Sequence, residues 1–212
     1  MVNSKLKPVV MAVLILFLFG FIFPTVTSLV ADHAIPFKAN GSLIKQNGTI
    51  YGSYLLAEAF NASFFFQPRP SDTNYNLSES GGPSGSLGSN LTLNQTLQYL
   101  HQFMSMNPGI NVSEIPYAMV APSASGLDPN IPVQGAEVQE PRIERSISSL
   151  FSSRGKSVNE SAVYSFLNET IRSYEEQNFP LFGSYYVNTV QLNLAIIGYL
   201  QKNGVLPPNV LG

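Results

Sequence analysis

The sequence predicts an α+β domain carried on one N-terminal transmembrane helix. Three observations predict it. A single uncharged apolar run, Val9 to Val30, is long enough to cross a bilayer. The later apolar residues recur mostly at helical spacing, while strand candidates are few and short. Charge is scarce, at 11% of 212 residues with a net charge of −2, against about a quarter in an average soluble protein.

The apolar run comes first. At 1.5 Å rise per residue, about 20 residues span the roughly 30 Å hydrocarbon layer. Lys5 and Lys7 precede the run and Asp32 follows it. Positive charge is retained on the cytoplasmic side, so residues 1–8 are expected inside, 9–30 in the membrane and 31–212 in one extracytoplasmic domain. A cleaved signal peptide would share the basic start and apolar stretch, but no A-x-A site follows Phe23. Pro24 is expected to kink the outer end of the helix.

Nine N-x-S/T sequons support export: Asn40, Asn47, Asn61, Asn76, Asn90, Asn94, Asn111, Asn159 and Asn168. The chain has 18 Asn and 33 Ser plus Thr, from which chance would give roughly three. All nine lie beyond the apolar run and are candidate glycosylation sites.

Along the exported chain, residues 32–40 read as a linker and 52–60 as a short helix. Phe64 to Phe66 read as a buried strand closed by Gln67-Pro68-Arg69-Pro70, where proline forces extended chain. Residues 78–90 form a Gly/Ser loop. Residues 91–106 read as a helix ending at Asn107-Pro108-Gly109, and 115–120 as a strand. Asp128-Pro129 has the chemistry of a helix start, with Asp at the cap and Pro first. Helix is expected from there to about 150, interrupted at Pro141. Residues 158–174 carry Val163, Phe166, Leu167 and Ile171 on one stripe, and 187–200 read as a buried helix. One small sheet is expected.

Composition excludes several chemistries. The absence of cysteine removes disulfides, Cys zinc sites and thiol catalysis. No clustered Lys and Arg point to nucleic acid, and no Walker loop is present. His33 and His101 lack partners at metal-ligand spacing, so no metal site is expected. Ser123 or Ser125 could serve as the nucleophile of a membrane-anchored extracellular hydrolase. Neither sits in G-x-S-x-G, however, and both histidines lie upstream. Glu137, Glu140 and Glu144 fit a solvated helix face.

Several motifs then fall in order: Gly41-Ser42-Leu43-Ile44, Phe64 to Ser71, the loop Ser80-Gly81-Gly82 to Ser89-Asn90, Ser123-Ala124-Ser125-Gly126-Leu127-Asp128-Pro129, Gln139-Glu140-Pro141-Arg142-Ile143, Phe182-Gly183, and Val187-Asn188 through Leu194. This order resembles the KdpC family, a component of the Kdp potassium-transporting ATPase. The resemblance runs from the membrane helix to about residue 200. Where the family usually has His after Asp-Pro, this chain has Asn130, and Pro83 and Ser84 break the Gly-Gly-Ser-Asn run.

The resemblance implies an accessory, non-catalytic subunit that supports assembly and acts as a catalytic chaperone raising ATP affinity. Its implied partners are a channel-like potassium-binding subunit and a P-type ATPase subunit, besides membrane lipid and without nucleic acid. It implies no cofactor of its own, ATP being met only through the complex. Arg69, Ser71, Gly81, Gly82, Ser89 and Asn90 are the first candidates for the partner interface, followed by Ser125, Asp128 and Arg142.

Overall fold

The computed structural model describes residues 6–46, 48–86, 88–179 and 182–207. The chain divides into two compact units, residues 1–53 and 54–212.

The first unit is built on one long apolar helix, Leu6–Ala34, with no buried residue. Its 29 residues measure about 43 Å at 1.5 Å each, more than the hydrocarbon thickness. It runs as α1 (Leu6–Phe17) and α2 (Phe23–Ala34), joined by a wide π turn over Leu18–Ile22. Proline lacks the N–H of an ordinary helical bond, and Pro24 lies two residues past that turn; a widened turn is a usual accommodation. Thr25 and Thr27 donate their hydroxyls to the carbonyls of Phe21 and Phe23, both at 2.7 Å, so polar hydrogens here are satisfied within the helix. The expected linker is helical instead: α2 runs to Ala34, Ile35 breaks it ahead of Pro36, and α3 (Pro36–Ala39) follows. A hairpin of β1 (Leu43–Gln46) and β2 (Thr49–Ser53) closes the unit. Gly52 therefore belongs to a strand, and the helix expected from it is absent: 54–56 form a turn.

Among the described residues the second unit packs five α-helices and a three-stranded antiparallel sheet of order β3–β5–β4. β5 (Tyr185–Asn188) lies centrally, with Ile131 of β3 (Asn130–Pro132) opposite Val187 and Glu176 of β4 (Glu176–Gln177) opposite Tyr186. Three helices each deliver a stripe at i, i+4 and i+8 to one core: Ile143, Ile147 and Phe151 from α6 (Glu140–Ser153), Val163, Leu167 and Ile171 from α7 (Glu160–Ser173), and Leu192, Ile196 and Leu200 from α8 (Thr189–Lys202). These nine are 3% exposed or less. α4 (Asn90–Met106) begins on Ser89, whose hydroxyl accepts the Thr92 N–H, and buries only Phe103.

The mixed α+β class stands, but the strands fall elsewhere than the sequence suggested. Residues 117–119 form a 3₁₀ turn, because Pro116 inside the expected strand removes a ladder donor. Asp128-Pro129 opens β3, not a helix. Ile131 precedes Pro132 and is driven extended, and α5 (Val133–Glu137) starts only after that proline. Pro141 sits in the first turn of α6, so it starts a helix where an interruption was expected. Phe66 is fully buried without strand neighbours. The Asn193 side chain takes their place, Oδ1 accepting the Phe66 N–H at 2.8 Å and Nδ2 donating to its carbonyl at 2.9 Å.

Candidate functional site

Two of the sequence motifs, Arg69-Pro70-Ser71 and Ser123 to Pro129, are brought together by the fold. Arg69 Nη1 lies 3.6 Å from Asp128 Oδ2, and Nη2 donates to the carbonyl of Pro122 at 3.1 Å. The ion pair is a quarter to a third exposed, so it contributes little stability by itself. Its role is to fix one loop on another. The Ser123 N–H donates back to the Pro70 carbonyl at 3.3 Å, and Asp128 Oδ1 accepts the Asn130 N–H at 3.0 Å, turning the chain into β3.

Ser71 holds a strained turn. Asn74 and Tyr75 both have positive φ, 51° and 58°, a conformation that non-glycine residues adopt only where neighbours impose it. The Ser71 hydroxyl accepts the N–H groups of Thr73 and Tyr75 at 3.3 and 2.9 Å, and the Tyr75 phenol donates to the Arg69 carbonyl at 2.8 Å.

The glycine loop is the third strand of this knot. Gly81 donates its N–H to the Ser125 carbonyl at 3.0 Å. A Cβ on Gly82 would stand 2.7 Å from the Ala124 carbonyl oxygen, and one on Gly126 would stand 2.9 Å from that of Gly81, at a φ of 73°. Both positions therefore require glycine. Ser89 and Asn90, grouped with this loop from the sequence, instead form the start of α4.

Ser123 is 2% exposed and its Oγ accepts the Asp128 N–H; Ser125 Oγ accepts the Leu127 N–H at 3.1 Å. Among the described residues no histidine hydrogen-bonds either serine. Both hydroxyls act as turn acceptors.

Arg142 lies inside the domain, 8% exposed. Its guanidinium donates to Asn107 Oδ1 and Gln139 Oε1, both at 2.8 Å, to the Phe65 carbonyl at 3.0 Å, and to the Ser63 carbonyl. Desolvation pulls it down to about 10, still charged at neutral pH. The side chain ties the 63–67 segment to the ends of α4 and α6.

Beside the knot opens a cleft of about 580 Å³. Asn74, Tyr75, Gln98, Tyr99 and Gln102 line it, with Arg142 among its walls. Among the described residues no Asp or Glu lines it. Burial, and then the neighbouring Tyr99, push the Tyr75 phenol up to about 12, and burial also raises Tyr99. Both stay protonated at neutral pH, so beside the charged Arg142 the cleft presents amides, neutral phenols and apolar side chains such as Phe60 and Met106. Sequence reasoning missed it. The three glutamines of α4 at i, i+3 and i+7 (Gln95, Gln98, Gln102) were the available signal.

Of the sequons, Asn40, Asn61, Asn76, Asn90, Asn94, Asn111 and Asn159 are exposed and Asn168 is half-buried. Asn47 lies outside the described residues. At Asn76 and Asn159 the side-chain oxygen accepts the N–H of the sequon's own serine, at 3.1 and 2.9 Å. Part of the sequon excess is therefore turn and cap chemistry.

Residues 6–197 match the family model for the K+-transporting ATPase c chain, KdpC. The chain is similar to the potassium-transporting ATPase KdpC subunit of Thermoplasma acidophilum, 54% identical over 204 residues, 96% of this chain and 97% of that one. The protein of the same name from Thermoplasma volcanium is 52% identical over 206 residues, covering 97% and 96%. That of an Escherichia coli strain is 32% identical over 188 residues, covering 87% and 92%. The chain, its long apolar helix included, belongs to the KdpC family of potassium-transporting ATPase subunits.

Proposed function

We propose that this protein is the accessory, non-catalytic subunit of an ATP-driven, high-affinity potassium importer. It supports assembly of the complex and raises the ATP affinity of the hydrolysing subunit. The observation that carries the reading is the family match, which spans both the apolar helix and the knotted domain.

The helix anchors the protein as a single pass. Lys5 and Lys7 at its N-terminal end set the N-terminus inside and the domain outside. A domain outside the cell cannot reach ATP bound in the cytoplasm. Its effect on ATP affinity is therefore a coupling transmitted through the membrane subunits, reciprocal between the two sites. The direct partners are a channel-like subunit that binds potassium and a P-type ATPase subunit. The knot of Arg69, Ser71, Gly81, Gly82, Ser125 and Asp128 is the rigid surface offered to them, and exposed sequons carry glycans.

The test is genetic. Deleting the gene, with no second importer active, should abolish growth at micromolar potassium, and a plasmid copy should restore it. Undiminished growth of the deletion strain would overturn the reading. Intact mass before and after deglycosylation checks the sequons: an unchanged mass sinks the glycan assignment.

A further inference from the structure

The cleft beside the knot carries a sequon in its wall. Asn61, Ala62 and Ser63 all line it, with Phe60 before them. Among the described residues no other sequon asparagine does. Asn61 is exposed and lies in irregular chain, where a bulky glycan can be attached without distorting a helix or strand. Asn90, Asn94 and Asn168 stand within helices instead.

The chemistry of the walls selects the ligand. The rings of Phe60, Tyr75 and Tyr99 stand with the amides of Gln98 and Gln102. An amide both donates and accepts, as a sugar hydroxyl does. An aromatic face carries negative charge density, which suits the C–H face of a sugar ring. No carboxylate among the described residues lines the cleft, so a divalent cation finds no charged ligand there. Arg142 already gives four hydrogen bonds to protein acceptors, which leaves it little to offer an anion. The volume of about 580 Å³ falls in the range of about 300–1,000 Å³ usual for small-molecule sites.

We propose that this cleft binds the first sugars of the chain's own N-linked glycan, attached at Asn61 and folded back onto α4. The proposal rests on the glycan reading above. The sequon's place in the wall chooses the occupant. Neutral contacts alone hold a free sugar weakly, whereas a glycan tethered at the rim is presented at about millimolar effective concentration. Once seated, it bridges three segments that are distant in sequence: 59–63, 74–75 and 98–102.

The test uses the full chain, purified in detergent from cells that glycosylate it. Peptide mass mapping should find Asn61 occupied. Asn61→Gln removes the attachment point at an exposed position. Amide exchange at Asn74 and Tyr75 should then run about tenfold faster, as for loss of a ligand held at about ten times its dissociation constant. Asn94→Gln, at an exposed sequon outside the cleft, should leave that exchange unchanged. Gln98→Ala/Gln102→Ala keeps the glycan and removes its amide partners. It should speed exchange at 74–75 in the wild-type background and add nothing in the Asn61→Gln background. An equal rise in both backgrounds would assign the effect to the protein alone and overturn the proposal. So would unchanged exchange in Asn61→Gln, or a bare Asn61 beside occupied sequons elsewhere. A chain with no glycan at all brings down the glycan reading itself, and the cleft's occupant with it.

Discussion

Glu140→Gln should stabilise this protein above neutral pH and leave it almost unchanged in mild acid. Glu140 is 4% exposed in the first turn of α6, and its Oε1 has no hydrogen-bond partner among the described residues. Burial, then Glu137, and last Glu144, push its carboxyl from the ordinary 4.5 up to about 7 against the pull of Arg172. Below about 4.5 the group is protonated in both folded and unfolded chains, and its stability is fully present. As pH rises from there to about 7, the unfolded chain ionises while the folded one keeps its proton, so stability falls. Above about 7 both are ionised and the loss is complete. At 1.36 kcal/mol per unit, the displacement is worth about 3 kcal/mol. For a domain of this size that is roughly 6–12 °C in melting temperature. The assay is thermal unfolding of the full chain in detergent, wild type against variant, at about pH 4 and about pH 8. The two should melt together at the lower pH, with the variant higher at the upper. Identical melting at the upper pH would refute the reasoning.

Arg142→Ala should destabilise by about 3–5 kcal/mol, since four acceptors in three segments lose a charged donor in a buried place; a denaturant titration with little change in midpoint would contradict this. Asn193→Ala removes both bonds to the Phe66 backbone, and about 2–4 kcal/mol should go with them, read as faster amide exchange at Phe66 and Gln67. Ser71→Ala should cost about 1–3 kcal/mol by freeing two N–H groups of a strained turn, with proteolysis between residues 71 and 76 as the readout. In Gly82→Ala the new Cβ must displace the Ala124 carbonyl. Exchange across 121–126 should rise while the melting point of the helical core barely moves, and a normal exchange pattern would show that the loop yields freely.

How much was legible in the sequence depended on whether the signal was local. The stripe of α7 was visible because burial of one helix face is written at fixed spacing, and Val163, Leu167 and Ile171 all appear in the core. The strands were misplaced because their evidence was weak and local proline rules pointed elsewhere. Pro116 and Pro132 each hold their predecessor extended, and giving that rule more weight would have moved β3 to its place. Phe66 looked like strand because it is apolar and buried, but its backbone bonds go to a side chain 127 residues away. No window of sequence contains such a partner. Among the site residues, Arg69 and Asp128 were named separately and proved to be one contact. Arg142, named as a surface contact, is internal, since nothing in Pro141-Arg142-Ile143 reveals which way the guanidinium points.

The sequence by itself determined the long apolar N-terminal helix, the buried stripe of α7 and the family. Each of these is a statement about neighbours along the chain, or about a pattern of residues preserved in order. Only the tertiary structure decided that the two motif loops and the glycine loop form one knot, that Arg142 and Asn193 replace missing backbone partners, and that α4 buries only Phe103. The physical reason is common to all three. They depend on which long-range groups satisfy buried hydrogen bonds and which apolar faces find cover, and that is settled only when the whole chain has packed.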